Sequence, residues 1–167
     1  MFRARGYSLI ELLVVLAILG LLASMAMPLA QMSAERSRER ELKRALWEIR
    51  DALDAYKAAR TSGAILPVSG VDPVEPYPAD LDTLTRLVPD QRVGHHGEYL
   101  RFLRSVPRDP FADASTPAAQ GWATRSFFDD VDGAHAQAAA AEAIADVYDV
   151  HSRTPDRALD GTLLSQW

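Results

Sequence analysis

No cysteine occurs in the 167 residues. Disulfide staples are therefore excluded, and any globular part must hold by packing, or by packing and a bound metal. A basic excess is also missing: 18 Lys+Arg stand against 23 Asp+Glu, for a net charge of −5. Such an acidic body argues against nucleic acid as a partner, which would ask for a basic face. No G-x-x-x-x-G-K-[ST] phosphate loop and no G-x-S-x-G nucleophile elbow is present, so the sequence carries no sign of an enzyme. Internal repeats are absent. Residues 29–60 hold neither Pro nor Gly, and residues Leu12 to Ala34, 23 in all, hold no charged side chain.

That uncharged run is what the chain has most distinctively. A helix of about 20 apolar residues spans a bilayer, so its length suffices. Glu11 sits at its leading edge. A charge inside such a segment costs about 2.5–3.5 kcal/mol at mid-membrane and less near an end, so Glu11 is a functional candidate, the alternative being a carboxylate at headgroup level. Arg3 and Arg5 precede the run, which keeps that end cytoplasmic under the positive-inside tendency. The body after residue 35 then lies outside the inner membrane. Residues 36–44 are also basic-rich, but Glu35, Glu39 and Glu41 interleave with them and dilute the opposing signal.

The flanks of the run read MFRARG before and YSLIE after. Basic leader, glycine, aromatic residue and buried acid fall in one register, and this closely resembles the prepilin leader of type IV pilins and type II secretion pseudopilins. The resemblance implies cleavage after Gly6, methylation of the new N-terminus at Tyr7, and Glu11 as the fifth residue of the mature chain. Tyr7 and Ser8 stand where the family usually has Phe and Thr. Gly6 offers a slim, flexible backbone at the cut. After cleavage the Tyr7 amine, with a pKa of about 8, is mostly cationic, and in lipid an amine and a carboxylate each need a partner. In the family's logic, Glu11 of one subunit meets the Tyr7 amine of its neighbour. Loss of residues 1–6 leaves 16 Lys+Arg against 23 Asp+Glu, a net charge of −7. A conventional signal peptide is the rival, because Ser24-Met25-Ala26 offers small residues at a signal-peptidase spacing. Against it stand Glu11, the excess length and Pro28 just after the cut.

Leu42, Leu46, Ile49, Leu53 and Tyr56 recur at spacings of 4, 3, 4 and 3, which is one helical face. With the Pro- and Gly-free stretch, this predicts one nearly continuous helix from about 8 to 60, roughly 80 Å long. Pro28 should kink or loosen it near residues 24–28. Membrane helices tolerate such prolines, while the resemblance favours a hinge used in filament packing. Residues 61–80 form a Pro/Gly-rich loop. Asp80 should cap a short helix carrying Leu81, Leu84 and Leu87 and ended by Pro89. A second short helix is expected over 97–104, with Phe111 anchoring the loop that follows. Strands are expected over 122–128 and 146–150, with an acidic turn and an alanine-rich helix between them. Trp167 should pack back onto the body.

The later stretches extend the resemblance. YPADLDTL, FLRSVPRDPF and DVYDVHSRTPDRALDGTLLSQW are similar to successive stretches of the major (G-type) pseudopilins of type II secretion. The likeness covers residues 1–60, 76–111 and 146–167 and is absent over 112–145. It implies an α+β, pilin-like fold: a long N-terminal helix, transmembrane in its first half, packed on a small C-terminal antiparallel sheet. The corresponding parts are a leader (1–6), a transmembrane and assembly helix (7–30), the periplasmic half of that helix (31–60) and a globular head (61–167). Lack of cysteine fits the pseudopilin branch, since many fibre-forming pilins carry a C-terminal pair.

The resemblance also implies calcium in the C-terminal loop, with Ser152, Asp156 and Asp160 as the matching oxygen donors and Asp149 just before. The loop departs from the family pattern, keeping only Gly161 and adding Arg153 and Arg157; a solvated acidic loop is the competing expectation. DDVDG is not an EF-hand, since Ala139 takes the place of the twelfth-position Glu. His95-His96, with Glu98 nearby, reads as a loop rather than a zinc site, because no further spaced ligands follow. His135 and His151 lie apart. The expected function is structural: a subunit processed by a prepilin peptidase/methyltransferase and self-assembled with other pseudopilins. Its short periplasmic filament would work with an inner-membrane platform and an outer-membrane secretin. The alternatives are a type IV major or minor pilin, a signal-peptide-bearing periplasmic binding protein and a plain membrane-anchored domain.

Overall fold

The computed structural model describes residues 8–66, 76–95, 97–127 and 146–167, the side chains of 25–29 excepted. Its first element, α1, covers Leu9–Thr61 in 53 residues, as the absence of breakers after Pro28 predicts. The helix stops where Gly63 takes φ of 73° and where Ala64 N and Ile65 N both donate to Ala59 O, at 2.8 and 3.3 Å. A left-handed glycine satisfies helix-end carbonyls in this way. By its contacts the chain divides into two compact units, Met1–Arg38 and Glu39–Trp167.

In the first unit the described apolar side chains from Leu9 to Leu22 are exposed on every side of α1. Apolar residues all round a helix need lipid or other protein against them. Among the described residues no helix is long and apolar enough to cross a membrane. The expected span over 7–30 contains residues 25–29, whose side chains lie outside the description, and α1 as a whole is not strongly apolar because its second half is charged.

In the second unit the predicted stripe is the core. Leu42, Leu46, Ile49, Leu53 and Tyr56 are all buried, each large apolar side chain contributing about 1.5–3 kcal/mol. Ala45 and Ala52 complete that face. Leu81, Leu84, Leu103, Val106, Trp122, Val147, Val150 and Leu164 pack with it in one cluster. Phe111 and Trp167 lie partly buried against the same cluster, as expected.

Among the described residues, four short strands form two separate antiparallel pairs. Strand β1 (Val88–Pro89) pairs with β2 (Tyr99–Leu100). Strand β3 (Trp122–Arg125) pairs with β4 (Asp149–Ser152), with Trp122 opposite Ser152 and Arg125 opposite Asp149. Along β4, Val150 and Ser152 are buried while Asp149 and His151 are partly exposed, the period of two that a one-sided sheet requires. The architecture is α+β and pilin-like: a long N-terminal helix followed by a small antiparallel sheet.

Four local expectations change, the first being that β3 ends at Arg125 and does not run on to residue 128. Asp80 does cap the next turn, accepting from Thr83 N at 2.7 Å and Thr83 Oγ1 at 2.8 Å. That turn is a 3₁₀ helix over Leu81–Thr85, which suits a Leu81–Leu84 repeat of three. Residues 97–104 are not helical. Gly97 takes φ of 90°, Glu98 N donates to His95 O at 3.0 Å and Asp90 N to Glu98 O at 2.9 Å. This closes a hairpin from which Tyr99 leaves extended. The last strand begins at Asp149, later than expected, because Asp146 is buried and occupied by Ser126 Oγ and Phe127 N. The acidic turn and the alanine-rich segment fall at residues 129–145, outside the described residues.

Candidate functional site

The described part of the predicted processing and assembly site begins at Ser8; Gly6 and Tyr7 lie outside the described residues. Leu12 N donates to Ser8 O at 3.1 Å, closing the first turn of α1, and Glu11 is the acid of that turn. A carboxylate there is favoured by the exposed N–H groups at the helix start. Glu11 is exposed, as are its neighbours Leu9, Ile10, Leu12, Leu13, Val14 and Val15. Its side chain makes no hydrogen bond or ion pair among the described residues. The helix thus presents a carboxyl group among exposed apolar side chains.

Pro28 lies within α1. It has no N–H to give the carbonyl of Ser24, and Ser24 Oγ instead donates backwards to Leu21 O at 2.7 Å. Side-chain bonds of this kind tend to bend helices, so two features that loosen the helix meet at residues 24–28.

The calcium candidates sit in different settings. Ser152 is fully buried in β4, and its hydroxyl donates to Asp109 Oδ2 at 2.5 Å. Asp156 and Asp160 are exposed in the loop beyond. Asp160 Oδ1 accepts from Thr162 N at 2.9 Å and Thr162 Oγ1 at 2.6 Å. These bonds hold the Asp160 carboxyl below the usual range, the Thr162 hydroxyl first among them. Asp149 pairs instead with Arg50, whose Nε donates to Oδ1 at 2.7 Å. Neither Asp109 nor Arg50 stood out in the sequence: Arg50 precedes its partner by 99 residues, and Asp109 lay inside an ordinary Arg-Asp-Pro turn.

The hairpin between β1 and β2 gathers a different set. Asp90, His95 and Glu98 place ligand-capable atoms within 4.8 Å of one another. Asp90, eight residues before Glu98 and with no metal-ligand spacing to mark it, is the third member of the set. The set is already bonded from within: Arg92 Nε lies 3.0 Å from both Asp90 oxygens, and His95 Nδ1 lies 2.7 Å from Glu98 Oε2. The Arg92 hydrogen bond holds the Asp90 carboxyl down at about 2, with burial opposing it. A metal would have to displace that guanidinium. His96 lies outside the described residues.

An open groove of about 320 Å³ is lined by Arg50, Asp54, Arg125, Tyr148 and Asp149. Beside it, His151 is pushed below its ordinary pKa by burial and by the Arg125 charge, and its buried Nδ1 has no partner among the described residues. The Arg50–Asp149 ion pair is part of that lining.

Comparison with known proteins adds one finding at the N-terminus. The family described as Prokaryotic N-terminal methylation motif matches residues 1–27. No curated protein and no solved structure matches the chain. The motif supports a type IV pilin-like chain whose N-terminus is processed by a prepilin peptidase and suggests that this end is membrane-anchored.

Proposed function

We propose that the chain is a structural subunit of a type II secretion pseudopilus. The subunit waits in the inner membrane with its N-terminus cytoplasmic and its head periplasmic. It is cut after Gly6, methylated at Tyr7 and stacked helix against helix into a short periplasmic filament. That filament acts as a piston or scaffold for export through an outer-membrane secretin, driven from an inner-membrane platform. Its role is mechanical rather than catalytic.

The observation that carries the reading is Glu11: an exposed carboxylate in the first turn of α1, ringed by exposed apolar side chains and unpartnered among the described residues. Pairing with the Tyr7 amine of a neighbouring subunit would neutralise both charges in lipid, where each is costly alone, and would set the stagger between subunits. Trp47 adds support from the second unit. It is 75% exposed on α1, near exposed Arg44 and Lys43, and an aromatic residue in such a setting suits a protein contact. Absence of cysteine favours a pseudopilin over a surface pilin, the second reading that the same motif allows.

The test is Glu11→Gln in the producing cell. The variant should be cleaved and inserted normally but should fail to form filaments and fail to support secretion. Normal filaments from it would refute the pairing. Extracellular pili from the unaltered chain, with secretion unaffected by its deletion, would favour the surface pilin.

A further inference from the structure

The C-terminal loop points to a way of holding backbone oxygens that needs no metal. Calcium, which the resemblance implies there, takes six to eight oxygens at about 2.3–2.6 Å. In this chain several oxygens of the loop are already engaged. Ser152 Oγ donates to Asp109 and accepts from Thr154 N at 3.2 Å. Asp156 O accepts from Leu164 N at 3.0 Å, Ala158 O from Gly161 N at 2.8 Å and Thr162 O from Ala158 N at 2.8 Å. Asp160 Oδ1 is shared by the amide and hydroxyl of Thr162. Of the three side-chain donors that the resemblance implies, Ser152 is sealed in the core and bonded to Asp109, Asp160 has one oxygen committed to Thr162, and Arg153 and Arg157 bring positive charge into the same loop. The donor set does not fit the ion.

The segment is instead held by guanidinium groups that bond to carbonyl oxygens along it and beside it. Arg157 Nη1 donates to Gly161 O at 2.8 Å, across a turn that Gly161 makes with φ of 87°. Arg153 Nε donates to Trp122 O at 2.8 Å, tying the loop's start to β3. Arg50 Nη2 reaches Val150 O at 3.1 Å and Trp167 O at 2.6 Å. A guanidinium is permanently charged, weakly hydrated and fixed in its donor geometry, and its bonds to oxygen are charge-assisted. Two further contacts fasten the same segment to α1: Leu159 N donates to Glu39 Oε1 at 2.6 Å, and Lys43 Nζ sits 4.1 Å from the Trp167 ring centre.

We propose that Arg50, Arg153 and Arg157 together replace a bound cation, so that the segment Asp149–Trp167 is clamped by arginine and folds independently of calcium. This goes beyond the filament reading and does not depend on it, since a clamped loop could serve a pilin or an anchored domain equally.

The experiment is amide hydrogen exchange and thermal unfolding of the full chain in detergent micelles, in millimolar calcium and in excess chelator, for the unaltered protein and for Arg157→Gln. In the unaltered protein, exchange at Ala158, Gly161 and Leu164 and the unfolding midpoint should be the same in both media. Arg157→Gln should speed exchange at those amides by on the order of tenfold in both media and leave Leu46 and Ile49 on α1 unchanged. Calcium-dependent protection of the loop, or a midpoint raised by calcium, would overturn the proposal. So would unchanged loop exchange in Arg157→Gln. If that variant fails to fold, the calcium comparison on the unaltered chain still decides.

Discussion

Ser152→Ala removes one oxygen from the core and tests what that hydroxyl is for. Ser152 is 0% and Asp109 3% exposed, and their side chains meet at 2.5 Å. Without the hydroxyl, Asp109 keeps, among the described residues, only the Phe111 N–H at 2.8 Å, and Thr154 N loses its 3.2 Å acceptor. A hydrogen bond to a charged group contributes roughly 1.5–3 kcal/mol, and leaving a buried acceptor short costs in that range. The expected loss is therefore about 2–3 kcal/mol, or a fall in the midpoint of on the order of 10 °C for a unit of this size. The assay is denaturant and thermal unfolding of the full chain in detergent, with and without chelator. Asp109→Asn should cost less, and the double variant less than the sum of the two singles, since the pair is a contact. A loss below about 0.5 kcal/mol, the scale of an ordinary surface change, would refute the reasoning. A loss that vanishes in chelator would refute it differently, by making Ser152 a metal ligand.

The Asp90–Arg92 pair makes stability acid-sensitive in a defined window. Asp90 titrates at about 2 in the folded chain against an ordinary 3.8, so the unfolded chain takes the proton first as pH falls. The pair's contribution is complete above about pH 4 and is lost as the pH falls to about 2; Asp90→Asn should remove that part of the acid transition in a pH series of unfolding midpoints. His151, with its pKa lowered mainly by burial, has the same sign at higher pH: its share of stability should fall as pH drops below about 6.5, and His151→Gln should flatten that part of the profile. On α1, two adjacent residues should behave oppositely. Leu46→Ala, at 2% exposed, should cost about 2–5 kcal/mol by opening a cavity, whereas Trp47→Ala, at 75% exposed, should change stability by less than about 0.5 kcal/mol and reduce filament yield.

The legible parts of the sequence were those governed by period and by absence. The 3-and-4 stripe from Leu42 to Tyr56 needs only helical geometry to become a buried face, and a stretch without Pro or Gly holds no breaker to interrupt that helix. Asp80 was legible as a cap because a cap is a local bond. What escaped were interactions between distant residues. Arg50 reaches Asp149, Val150 and Trp167 from a helix whose pattern says only that one side is polar. Asp109 and Ser152 look like loop and strand residues until the fold buries them together. Residues 97–104 misled because YLRFL has helical spacing, while one left-handed glycine at 97 directs the chain into a hairpin. At the candidate site, Glu11 was legible as a charge out of place, and the structure adds that nothing described in its own chain answers it.

The central claim is that this N-terminus enters the prepilin pathway. Intact-mass and fragment mass spectrometry of the protein from cells with and without the prepilin peptidase tests it directly. The account predicts a chain that begins at Tyr7 and carries one added methyl group, only when the peptidase is present. A chain beginning at Met27 would contradict it, making the protein an ordinary secreted one and stripping Glu11 of its assembly role; an uncut chain in both strains would contradict it as well and leave only a membrane-anchored domain.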